Sequence, residues 1–392
     1  MAARRSGTSR PSSCTENEVK QLLTSTATVF AMFAGPSAVA QTPPAITGSP
    51  TIVSPDLLEW PGDFPEETPS LTEPTANRLA DFHGEFSDCD IVLSTAGNYH
   101  MALKEMWQLY LGSYVDHLDI RNWFYTTSPP ISPAQVLSGV VQFGNLNARC
   151  VPQVAVGPAA VMNQLSAAGV NDGAPVPIIR NKGNVILVKK GNPKHIRTVW
   201  DLGRRDVTLV TPHPTLEPGS FGNFSGSIYG IAANDPSPPP GVTAEDLFDI
   251  IFNGQTPYNR HYQWTDGGRQ GCGHGHDDRG RDGRPQWVTG KRIMHREQPW
   301  AIYSGNADAG VIFYHLALYF VRTFPDQFEI VPLGGTVDDP QPLPGNRVGV
   351  MQAVRIAGDW TPRQLEAREA LMDAFMSDDF SDILAYHGLE RP

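Results

Sequence analysis

Residues 271–283 read GCGHGHDDRGRDG, and no other stretch of the chain looks as reactive. One cysteine, two histidines and three aspartates stand among five glycines. Cys272, His274 and His276 are spaced by two, so in an extended segment they point the same way, with Asp277 and Asp278 adjacent. Such a set could hold zinc or copper. A second chemistry is nucleophilic: a Cys272 thiolate with His274 or His276 as its base. Both need ligands or reacting groups held to a fraction of an ångström. A segment with five glycines and no aliphatic or aromatic side chain does not supply that. Zinc sites also draw a ligand from a second element and use wider spacings. The reading that fits the composition best is a solvated loop, with the metal site as its rival. No Ser/His/Asp arrangement, P-loop or dinucleotide fingerprint occurs elsewhere. The sequence is therefore read as that of a non-enzyme, with no metal or cofactor expected.

The surrounding chain sets the context. It has 392 residues, 40% hydrophobic and only 18% charged, enough to bury the core of one large or two medium domains. A net charge of −11 argues against nucleic acid or an anionic membrane surface as the main partner. It does not forbid a local anion site. Residues 1–40 read as an export signal. Arg4, Arg5, Arg10 and Lys20 form a positive start, a modest apolar stretch runs from Leu22 to Ala34, and Ala38-Val39-Ala40 precedes Gln41 as a small-residue cleavage pattern. That stretch is too short and too Thr-rich to span a bilayer stably, so a periplasmic mature protein is expected. Export makes the cysteines informative. Cys14 leaves with the signal. Cys89 and Cys150 each precede an apolar run; if those runs are neighbouring parallel strands, both thiols start at one sheet edge and can pair, leaving Cys272 single.

Residues 41–87 are rich in Pro, Thr, Ser and Glu and are expected to be a surface leader. From Cys89 onward short apolar strands alternate with helical spacings. DIVLS (90–94) is a strand, and 98–114 is a helix with Met101, Leu103, Met106, Trp107, Leu109 and Tyr110 on its buried face. Strands are expected near 122–132, 152–156, 184–189, 328–335 and 347–358, and helices near 133–143, 158–168, 361–376 and 378–387. Residues 206–233 read as a strand, a long Gly/Ser/Pro loop and a helix, and 307–322 begin as a fully apolar strand. Alternation of this kind predicts an α/β protein with mostly parallel sheet.

Five stretches in order resemble the type II periplasmic substrate-binding proteins, most closely their molybdate- and tungstate-binding branch. They are DIVLSTAGNYHMALKEM, ILVKKGNPKHIRTVWDL, TPHPTLEPGSFGNFSGSIYG, GNADAGVIFYH and FSDILAYHGLE. The chain departs from that family at Gly97-Asn98, where a serine is usual, and in its leader and an insertion at about 234–290. The resemblance implies two lobes with a ligand cleft between them: lobe I from 88–182 and 323–392, lobe II from 183–322. It implies a monomer that captures a small oxyanion for an ABC importer, with a membrane permease as partner and no nucleic acid.

Matching positions to the family gives the candidate ligand set Gly97, Asn98, Thr127, Ser128, Gly219, Ser220, His295 and Tyr314, with Phe313 also in contention. The loops STAGN (94–98), TTSPPIS (126–132) and EPGSFGNFSGS (217–227) fit this role. Hydroxyls and backbone amides at helix N-termini can bind an oxyanion without a fixed counter-ion. Each residue also has a structural role open to it. Asn98, Ser128 and Ser220 can cap helices, Tyr314 can be core, and His295 with Arg296 can lie on a solvated helix face. Arg296 would suit a phosphonate, sulfonate or carboxylate in place of molybdate.

Overall fold

The computed structural model describes residues 41–54, 80–84, 89–127, 131–143, 146–256, 258, 284–291 and 294–392. The first half of the chain forms β1 (Thr51–Ile52), β2 (Ala80–Gly84), β3 (Ile91–Ala96), α1 (His100–Ser113), β4 (Asn122–Thr127), α2 (Pro133–Ser138), β5 (Val141–Phe143), β6 (Leu146–Ala148), β7 (Val154–Pro158), α3 (Ala159–Ala167) and β8 (Asn171–Asn181). The second half forms β9 (Asn184–Lys189), β10 (Leu209–Thr211), α4 (Pro218–Ala233), α5 (Ala244–Phe252), β11 (Trp287–Thr289), α6 (Met294–Tyr303), β12 (Ala309–Phe313), α7 (Tyr314–Thr323), β13 (Phe328–Val331), β14 (Val350–Ile356), α8 (Pro362–Met376), α9 (Asp378–Tyr386) and β15 (Leu389–Glu390).

Two sheets carry the fold. A seven-stranded sheet in the order β15-β8-β14-β7-β3-β4-β2 defines lobe I, and a six-stranded sheet in the order β1-β11-β10-β12-β9-β13 defines lobe II. The chain crosses between them at residues 182–183. It returns between β13 and β14, because β13 pairs with β9 while β14 pairs with β7 and β8. The expected return at 323 is therefore corrected to 332–349: the strand after α7 extends the lobe II sheet before the chain leaves it. The sheets are also mixed rather than mostly parallel. β3 runs parallel to β4 and β7, and β10 runs parallel to β11 and β12, whereas the strands flanking the crossings, β8, β9, β13 and β14, pair antiparallel.

β9 and β12 explain why lobe II has a single core. Val185 to Val188 and Ala309 to Phe313 are buried without interruption, as strands covered on both faces must be. Burying each such Val, Leu or Ile side chain contributes about 1.5–3 kcal/mol. In lobe I the strands separate two cores. Tyr99, Leu103, Trp107, Leu371 and Phe375 pack on one face, and Trp123, Tyr125, Met162 and Leu165 on the other. Cys89 and Cys150, at the starts of the parallel neighbours β3 and β7, form a disulfide with Cα atoms 5.9 Å apart.

Two expectations about irregular sequence need correction. The leader is in part an edge strand of each sheet: β1 pairs parallel with β11, and β2 pairs antiparallel with β4. The region taken as an insertion begins and ends inside the lobe II fold, since Leu247, Phe248 and Phe252 of α5 join the core and β11 joins the sheet.

The largest difference concerns EPGSFGNFSGS, which is helix from Pro218 onward. Glycine inside a helix costs roughly 1 kcal/mol relative to alanine, and here close packing offsets that cost. A Cβ on Gly226 would collide with the Arg347 guanidinium, and one on Gly230 would lie 2.5 Å from the Gly345 carbonyl oxygen. Gly345 itself adopts φ +86°, a left-handed conformation that glycine enters freely. The Arg347 side chain donates to the Gly222 carbonyl at 2.8 Å, and its amide donates to Ser227 Oγ at 2.9 Å. The small residues of α4 thus form the seat of the return crossing. Gly230→Ala is expected to lower stability by about 1–3 kcal/mol in a chemical denaturation series, because the backbone clash outweighs the gain in helix propensity.

Candidate functional site

The carboxyl ends of the parallel strands turn into helices on the facing sides of the two lobes. In lobe I, β3 ends at Ala96 and the chain makes a single 3-10 turn, Gly97–Tyr99, before α1. His100 Nδ1 donates to the Gly97 carbonyl at 3.0 Å and stiffens that turn. In lobe II, α6 and α7 supply His295, Arg296 and His315. These two surfaces meet. A Cβ placed on Gly97 would lie 3.6 Å from His295 Cε1, and His315 Nε2 donates to the Asn98 carbonyl at 2.8 Å. The His100 and His295 rings stand 6.0 Å apart, and the His315 ring stacks on Tyr99 at 4.7 Å and on Phe313 at 5.5 Å.

Electrostatics follow from this enclosure. His295 and His315 are 8% and 1% exposed. Desolvation pushes the His315 imidazole down to about 4, against the opposing effect of its bond to Asn98. Desolvation holds His295 well below 6.5, helped by Arg296, His100 and His315. Both are neutral at pH 7, when each ring offers one donor and one acceptor. Burial pushes the Tyr99 phenol up to about 12, so it too stays neutral, its oxygen accepting from Asn181 Nδ2 at 2.9 Å.

At the α6 start, Glu217 of lobe II accepts from the Met294 amide at 3.0 Å. Glu297, 1% exposed, accepts from the Lys291 amide at 3.1 Å and from Ser54 Oγ at 2.5 Å. Protein carboxylates therefore already serve the amides around that helix end.

The candidate residues separate clearly on this geometry. Gly97, Asn98 and His295 come together across the lobes. Thr127 lies abreast of Ala96 at the end of β4, one residue from Gly97. Gly219 and Ser220 sit in the first turn of α4, beside Glu217. Ser128 lies outside the described residues, as do Cys272, His274 and His276. Tyr314 is committed to packing: it is 4% exposed, its hydroxyl donates to the Val337 carbonyl at 2.8 Å, and its ring fills the space beside Gly388. Phe313 and His315, on either side of it, reach the 97–99 turn instead. The residues that spacing did not single out are His100 and His315. Each is a lone histidine beside an apolar run, and only the lobe-to-lobe geometry distinguishes it from a core histidine. Among the described residues no three His, Cys, Asp or Glu side chains are placed to hold a metal ion.

Two α/β lobes joined by crossings, with polar turns facing each other between them, define a solute-binding architecture. A family profile described as bacterial extracellular solute-binding protein matches residues 152–390, and the chain belongs to that family. None of the curated proteins matches the sequence. Among solved structures, the chain is similar to the sulfate-binding protein SubI from Mycobacterium tuberculosis H37Rv. The identity is 14%, over 78% of this chain and 87% of that one, with a TM-score of 0.49. It is similar to the periplasmic molybdate-binding protein of Azotobacter vinelandii at 12% identity, over 77% and 99%, with a TM-score of 0.45. It is also similar to iron-bound HitA from Pseudomonas aeruginosa at 14% identity, over 76% and 83%, with a TM-score of 0.43. Sulfate, molybdate and iron belong to those proteins, and together they single out no ligand for this one.

A side chain larger than methyl at position 97 would have to occupy the space of His295. Gly97→Leu is therefore expected to fold normally but to hold the lobes apart, seen as a larger radius of gyration in small-angle scattering, whereas Gly97→Ala should match the parent.

Proposed function

We propose that the chain is an extracytoplasmic solute-binding protein that captures a small oxyanion of the molybdate or tungstate kind between its lobes and delivers it to an ABC permease. Residues 1–40 would direct its export, and the mature protein would work as a monomer in the periplasm. Among the described residues no helix is long and apolar enough to cross a membrane. The observation that carries the reading is the juxtaposition of the bare Gly97-Asn98 turn with His295 across the cleft. Backbone amides and neutral imidazoles are the donors that hold an anion without neutralising it. Thr127 at the end of β4 and Ser128 next in sequence, with Gly219 and Ser220 in the first turn of α4, would complete the ring of neutral donors.

A second reading has its own support. Arg296 stands next to His295 and lowers its basicity through space. A guanidinium fork matches a planar carboxylate, or a sulfonate or phosphonate, better than it matches a small tetrahedral metal oxyanion. One panel separates the two: thermal unfolding with molybdate, tungstate, sulfate, phosphate, alkyl phosphonates, sulfonates and carboxylates. A true ligand at 100 times its Kd adds about 2.7 kcal/mol and raises the melting temperature by several degrees. An organic acid as the sole stabiliser selects the second reading, and no shift from any anion defeats both.

A further inference from the structure

We propose that His315 is a proton-sensitive latch between the lobes: its contact with Asn98 forms with the neutral imidazole, and acidification opens the cleft. The inference rests on the solute-binding reading of that cleft and concerns how it is regulated.

The tautomer follows from the geometry. The Asn98 carbonyl can only accept, so His315 Nε2 carries the ring proton and, in the neutral ring, Nδ1 is a bare lone pair. Nδ1 is buried and has no hydrogen-bond partner among the described residues. A second proton would place an N–H there with nothing to receive it, against the rings of Tyr99 and Phe313, which themselves lie 6.3 Å apart. The faces of those rings can offset part of a positive charge, but burial of an uncompensated cation costs more.

The surroundings add no rescue. The 97–99 turn brings Tyr99, whose phenol is neutral. α1 brings His100 and, further along, Glu105. α6 brings His295 and Arg296, and the end of α9 brings His387, which opposes a charge on His315. Glu105, the carboxylate among these groups, is 46% exposed and is engaged by His387 Nε2 at 3.0 Å. Opening the lobes is what returns the ring to water.

The direction with pH follows. In the closed form the ring titrates near 4; in an open form, exposed to water, it returns to the ordinary value of 6.5. Above 6.5 both forms are neutral and closure is unaffected. As pH falls from 6.5 to 4 the open form takes up a proton that the closed form refuses. The closed-to-open ratio then drops about tenfold per pH unit. His295, buried at the same contact, works in the same direction.

The test uses the mature protein without solute. Spin labels at Ser113→Cys in lobe I and Asn306→Cys in lobe II, in a Cys272→Ser background, report the interlobe distance by double electron–electron resonance. The distribution is expected to shift to longer distances between pH 7.5 and 4.5. In His315→Gln, whose carboxamide can donate to Asn98 without titrating, the open-to-closed ratio at pH 4.5 should be at least tenfold lower than in the parent. An unchanged distribution in the parent, or a variant that opens as fully as the parent, overturns the latch. Imidazole NMR of the unsubstituted protein gives an independent reading, and a His315 ring titrating near 6.5 also overturns it. Neither measurement uses an anion, so an empty ligand panel defeats the oxyanion reading without touching this result.

Discussion

The carboxamide of Asn181 is the point on which the two lobes depend. Its oxygen accepts from the Gly183 amide and from the Gly349 amide, each at 3.0 Å, and its nitrogen donates to the Tyr99 hydroxyl. One buried side chain therefore ties the outgoing crossing, the returning crossing and the first turn of the candidate site. Without it, three polar groups would be left unmet in the interior, at about 1–3 kcal/mol each. Asn346 repeats the device one step along: its Oδ1 accepts from the Asn184 amide and its Nδ2 donates to the Asn184 carbonyl, both at 2.9 Å. The crossings are two chain segments clamped to each other by asparagines, the kind of short connection about which two-lobed proteins hinge.

What lies next to this clamp gains precision from it. Tyr99 is fixed by Asn181, His315 stacks on Tyr99, and Phe313 packs between His315 and Phe224 of α4. The polar turn of lobe I and the α7 start of lobe II are thus registered through one contiguous set of rings. The polar atoms in this set of contacts, the Tyr99 hydroxyl and the His315 imidazole, are both neutral at pH 7.

Much of the fold was legible because the elements that define it carry strong local signals. Val185 to Val188 is an unbroken apolar run, and Met101, Leu103, Met106, Trp107 and Tyr110 repeat at helical spacing on the buried face, with Leu109, also expected there, only half-buried. The starts of β3 and β7 placed Cys89 and Cys150 side by side. The misreadings share one cause, which is that long-range packing overruled composition. Residues 217–227 look like a loop because glycine and serine disfavour helices, yet Arg347, more than a hundred residues away, packs on Gly226 and Ser227 and requires small residues there. Tyr314 sits where family matching expects a ligand, but Phe313 at the end of β12 and His315 in the first turn of α7 reach the 97–99 turn instead. The eye-catching segment 271–283 lies outside the described residues, and the candidate residues that do meet across the lobes, Gly97, Asn98 and His295, carry much quieter sequence signals.

The strand order has a bearing on how such a chain is made. Lobe II is nearly continuous, since all its strands except the short edge β1 lie between residues 184 and 331. Lobe I is not: β14 lies between β7 and β8, and β15 closes the edge beyond β8. During synthesis the second lobe can close on itself while the first still lacks a central strand, which leaves β7 and β8 with exposed pairing edges. Contacts spanning that much sequence form slowly. Lobe I therefore cannot complete its sheet until β14 and β15, Val350–Ile356 and Leu389–Glu390, are available.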